Sequence, residues 1–60
     1  MSLTIIEVLE NAEYNLKRDV LPIRKIGLDQ LRNAIDLLEA GSSPFEDFDQ
    51  KKLEDIRKNK

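Results

Sequence analysis

Cysteine, histidine and tryptophan are all missing from the 60 residues. Without cysteine there is no disulfide, no thiolate zinc site and no thiol nucleophile. Without histidine the commonest metal ligand and the commonest general base are gone as well. The chain has only one tyrosine and two phenylalanines. Its two glycines lie far apart, so no phosphate-cradling loop is present. No apolar run approaches the roughly 20 residues that span a bilayer. Met1-Ser2-Leu3 does not open like a signal peptide, so a cytoplasmic protein without a membrane partner is expected. Neither sign of charge dominates: 10 basic residues against 12 acidic give a net charge of −2. That balance offers no general reason to expect nucleic acid or a membrane surface. A chain this short buries a small share of its surface, and with disulfides excluded the remaining staple is association with another chain.

What is present is helical. The most regular stretch is IGLDQLRNAIDLLEAG, Ile26 to Gly41. Gly41 suits the left-handed residue that closes a helix, and Pro44 lies just beyond it. Gly27 is an acceptable N-cap, Ile26 and Leu31 stand at the positions of a hydrophobic staple, and Asp29 falls in the first turn, where the dipole favours an acid. The spacing therefore predicts a helix over 28–40. Leu28, Leu31, Ile35 and Leu38, with Ala34 beside them, share an arc of about 120° and form the expected buried seam. Leu37 projects some 60° beyond that arc and marks an expected second contact.

Thr4-Ile5-Ile6-Glu7 is a capping box, with Leu3 and Val8 at its staple positions, so a first helix starts near Ile5. Ile5, Leu9, Ala12 and Leu16 run down one seam, widened by Val8 and Ile6 to roughly 160°. Glu7, Glu10, Glu13, Lys17 and Arg18 fall outside it, and Tyr14 lies nearly opposite. Pro22 disfavours helix at Leu21, so this helix is expected to run to about Asp19. A connection over 20–27 follows, its Val20, Leu21, Ile23 and Ile26 folding back over the open end of an antiparallel pair. After Gly41, Ser43-Pro44-Phe45-Glu46 reads as a second box, yet Phe45, Phe48, Leu53 and Ile56 step irregularly around a helix. A restart at Asp47 explains the tail better, as a short helix over 47–57 with a frayed end at 58–60.

The residues offer little chemistry. Glu46, Asp47 and Asp49 form the one acidic cluster in a loop, but Lys51 and Lys52 stand where a calcium loop needs ligands and no glycine follows. Ser42 and Ser43 have no histidine to activate them. Glu7, Glu10 and Glu13 read as a solvated face rather than an acid–base pair. Neither an enzyme nor a cofactor is expected. Two sets of binding candidates remain. Tyr14 and Leu37, with Phe45 and Phe48, are candidate protein contacts, tyrosine being a favoured interface anchor. Lys17, Arg18, Arg24 and Lys25 bracket the connection and form a candidate anion or nucleic-acid patch. The tail adds to them: the last ten residues carry about +3 and the first fifty about −5. Interleaved acids, a connection too long for a helix-turn-helix and the lack of a stacking aromatic argue against that patch.

The phrases LENAEYNLK and QLRNAIDLLEAG, residues 9–17 and 30–41, resemble short uncharacterised proteins of phages and prophages of Gram-positive bacteria. The resemblance carries no functional motif. What it implies is a small accessory factor that binds a host or viral protein.

The expected architecture is thus all-α, one domain over 1–60: an antiparallel hairpin with a shorter C-terminal helix. Its apolar arcs are wider than one partner helix can cover. Either a homodimer makes a four-helix bundle, or Phe45, Phe48, Leu53 and Ile56 close a three-helix monomer, and the poor third pattern favours the dimer. The expected function is non-catalytic: a small module that self-associates or docks on a larger protein, with nucleic-acid association as the alternative.

Overall fold

Helix α1 (Ile5–Leu16) starts where the capping box places it. Thr4 Oγ1 accepts from the Glu7 amide at 3.2 Å, and Glu7 Oε1 accepts from the Thr4 amide at 2.9 Å. The computed structural model, which describes residues 3–59, continues with α2 (Leu21–Glu39) and α3 (Gln50–Lys58). Among the described residues there is no strand, only an isolated antiparallel bridge between Thr4 and Asp47. The architecture is an antiparallel α1–α2 hairpin with a short third helix, as the periodicity requires.

The second helix starts seven residues earlier than expected. The stretch 20–27 is its first turns rather than a connection, and Val20 is its N-cap. Pro22 falls in the first turn, where its missing amide would have had no intrahelical partner in any case. The reversal is therefore squeezed into Lys17–Val20, and α1 ends at Leu16 rather than near Asp19. Gly27 is not a cap. It sits inside α2 at the point of closest approach to α1, where an added Cβ would lie 2.9 Å from the Ala12 carbonyl oxygen and 3.0 Å from the Leu16 amide nitrogen. Glycine costs about 1 kcal/mol in a helix interior relative to alanine, and here it lets two backbones touch.

That approach sets which face of α2 is buried. Gly27, Ala34 and Leu37 turn inward, with Gln30 between them donating nothing to the core but accepting from Asn15 Nδ2 at 2.8 Å. The expected seam is rotated outward: Leu31 and Leu38 are half-buried, while Leu28 and Ile35 are 37% and 41% exposed. Leu37, expected as an outer contact, is 1% exposed and packs with Ile5, Val8, Ala34 and Leu53. Small residues win over large ones here because only they allow the helix axes to close. The α1 seam holds better: Ile5, Val8 and Ala12 are buried, Leu9 and Leu16 half-buried, and only Ile6 lies outside.

At its C-terminus α2 closes as expected, with Gly41 at φ 102°. The Gly41 amide donates to Leu38 O and the Ser42 amide to Leu37 O, the paired bonds of a Schellman motif. The chain then crosses the open N-terminus of α1. Glu46 O and Pro44 O accept from the Ile5 and Ile6 amides, both at 2.9 Å. Together with Thr4 they satisfy the first free donors of α1. Ser43 and Glu46 thus build a turn, not a helix start. Asp49 is the cap of α3, accepting from the Lys51 and Lys52 amides, so this helix starts at Gln50 instead of Asp47 and continues through Lys58, where fraying was expected. Lys60 lies outside the described residues. Leu53 is buried, and Phe48 and Ile56 pack against the core.

Candidate interaction surface

Each element places the candidate residues differently. Tyr14 stands on the outer side of α1 and is 63% exposed. One turn on, Arg18 holds it: Nη1 donates to the Tyr14 hydroxyl at 2.9 Å, and the guanidinium carbon lies 5.5 Å from the ring centroid. Phe45, at the tip of the crossing loop, is 77% exposed. Leu37 lies inside the core, and Phe48 lies half-buried against it. The four expected protein contacts do not form one surface.

The four basic candidates do gather near the α1–α2 turn, but three are engaged within the chain. Lys17 Nζ lies 3.8 Å from Glu13, Arg18 holds Tyr14, and Arg24 pairs with Asp19 at 3.0 Å while its Nε donates to the Arg18 carbonyl. Lys25 alone has no such partner among the described residues. Exposed pairs of this kind stabilise little, yet each acid cancels charge that a phosphate would need.

The polar interior is equally closed to chemistry. Ser42 is buried, and its Oγ accepts from Lys52 Nζ at 2.7 Å. The lysine donates to the hydroxyl and so does not take its proton; the bond ties the end of α2 to the first turn of α3. Arg57 makes the second tie, to Asp36 Oδ2 at 3.1 Å and Asn33 Oδ1 at 2.6 Å. Among the described residues no buried side-chain nitrogen or oxygen lacks a partner, and no three acids come together as a metal-holding group. A shallow recess between α2 and α3, lined by Asp36, Glu39, Ala40 and Ile56, has nothing but two carboxylates to offer a ligand.

What stands out is a face that sequence periodicity assigned to the core. At about 100° per residue, Leu28 and Ile35 lie 80–100° around α2 from Gly27, and Ile6 lies about as far around α1 from Ile5. In an antiparallel pair, equal rotations of the same sense lead to the same side. Ile6, Leu28 and Ile35 are exposed, and half-buried Leu9, Leu16 and Leu31 lie between them. Helix α3 lies against the opposite side, where Leu53 meets Ile5, Val8 and Leu37, and leaves this face uncovered. By the same count Glu13 lies on the face, between Leu9 and Ile6, while Glu10 stands at its edge on α1 and Arg32 at its edge on α2, all three exposed. Gly27 and Ala34, seven residues apart, were the available signal that α2 turns its small residues inward.

Among the described residues no helix is long and apolar enough to cross a membrane. Neither a protein-family model, nor a curated protein, nor a solved structure matches the chain.

Proposed function

We propose that the chain is a non-catalytic protein-interaction module of the cytoplasm that works through the face of Ile6, Leu28, Leu31 and Ile35. The observation that carries this reading is the gathering of Ile6, Leu28 and Ile35 on the one side of the hairpin that α3 leaves uncovered. Contiguous apolar ground of this kind on a small protein marks a contact site. The pairing of Lys17, Arg18 and Arg24 within the chain counts against nucleic acid as the partner. The accessory-factor role implied by the two helical phrases belongs to the same proposal.

Capture from cells tests it, with the wild-type chain and a Leu28→Glu/Ile35→Glu variant as baits. Leu28 is 37% and Ile35 41% exposed, so the variant is expected to keep its helical circular dichroism with a modest fall in melting midpoint. A protein held by the wild type and lost by the folded variant is the expected result. Identical capture by both baits would move the contact elsewhere, with Tyr14 and Phe45 next in line.

A further inference from the structure

We infer that the occupant of the uncovered face is a second copy of the chain, related by a two-fold axis parallel to the helices. The inference rests on the interaction-module reading and names its partner. Three observations point to it.

The first is area. The chain exposes 4577 Å², whereas a compact monomer of its 7.0 kDa is expected to expose about 4,000 Å². The chain thus hides less of its surface than a compact chain of that mass. The second is shape. The 12 residues of α1 give the face a shared length of about 18 Å, and two helices side by side give it a width of about 20 Å. A flat, two-helix apolar surface is what another two-helix surface covers in a four-helix bundle. Its footprint falls below the roughly 800 Å² per partner of a standard interface and places the dimer among the weak, transient ones.

The third is charge, and it selects the arrangement. Gly27 lies level with the segment Ala12–Leu16, which in an antiparallel pair puts Arg32, five residues on, at about the height of Glu10. With the two-fold parallel to the helices, α1 of one copy lies on α2 of the other at equal height. Glu10 then faces Arg32 of the second copy, twice by symmetry, with Glu13 close behind. With the two-fold perpendicular to the helices, α1 lies on α1 and gathers Glu10 and Glu13 of both copies against one another. Among the described residues neither Glu10 nor Arg32 has an ion-pair partner within the chain, so both are available to the first arrangement. Lys17 and Arg24, nearer the turn, are already matched by Glu13 and Asp19.

Sedimentation equilibrium of the full chain, from about 5 μM to about 1 mM to bracket the constant of a weak dimer, is the test. The average mass is expected to rise from that of one chain toward twice that value, and Leu28→Glu/Ile35→Glu to hold it at one chain throughout. Glu10→Arg alone is expected to raise the dissociation constant about tenfold or more, in line with the cost of like charges across an interface. Adding Arg32→Glu to it is expected to restore the wild-type value. Circular dichroism at the lowest concentration confirms that each variant is folded. A single-chain mass at every concentration overturns the inference but leaves the module reading to its capture experiment. A dimer tightened by Glu10→Arg, or one untouched by Leu28→Glu/Ile35→Glu, overturns the arrangement proposed.

Discussion

Two residues of α2 show how little of a helix contact is set by the size of its apolar side chains. Gly27 is buried with α1 backbone 2.9 Å from where its Cβ would be. Gly27→Ala gains about 1 kcal/mol of helix propensity but forces the helices apart, at an overpacking cost of about 1–3 kcal/mol. The obstacle is largely main chain, which cannot swing aside, so the expected outcome is a lower melting midpoint in thermal denaturation. A raised midpoint would mean that the pair separates freely at this point. Leu37 makes the complementary case. Its truncation to alanine removes a fully buried side chain from the meeting place of all three helices and is expected to cost about 2–5 kcal/mol. That is most of the roughly 3–9 kcal/mol available to 60 residues. Leu28→Ala, at a position 37% exposed, is expected to cost about 1 kcal/mol to the single chain. Urea titration at low protein concentration compares the two, and equal midpoints would contradict the rotation of α2. Periodicity ranked these leucines the other way round, because it weighs greasy surface and is blind to how closely two axes can come.

At the scale of elements, local signals were read well and their combination less so. The Thr4 box, the Gly41 stop and the last helix all depend on neighbours three or four residues away, and such neighbours are visible in the sequence. The start of α2 depends instead on a contact between residues 27 and 12–16, which overrides the warning given by Pro22. The uncovered face is legible as an apolar stripe that periodicity assigns to the interior, since nothing local says which side of a stripe the rest of the chain covers. Among the individual candidates, Tyr14 and Phe45 lie at the surface and Leu37 and Phe48 do not. The same reasoning predicts how α3 behaves. Its nine residues are too few for an independent helix in water. It is held by Leu53 and Ile56 in the core and by the Ser42–Lys52 and Asp36–Arg57 ties. Each hydrogen-bonded tie contributes less than the full burial of a leucine side chain, so Leu53 is the main anchor. Leu53→Ala is expected to raise amide hydrogen exchange across residues 50–58 far more than in α1 or α2. Uniform acceleration over all three helices would show instead that the fold opens only as a whole.

For the whole molecule, α3 and the crossing loop close one side of the hairpin and leave the other open, so the two expectations of a three-helix core and of a missing fourth layer are not rivals. One side is finished within the chain, and the proposed second copy finishes the other. The crossing loop has a further consequence of its own. The first amides of α1 find their acceptors at Pro44 and Glu46, some forty residues downstream. A chain cut between Ala40 and Pro44 is therefore expected to lose more than its third helix, because the leading edge of α1 would be left without its acceptors.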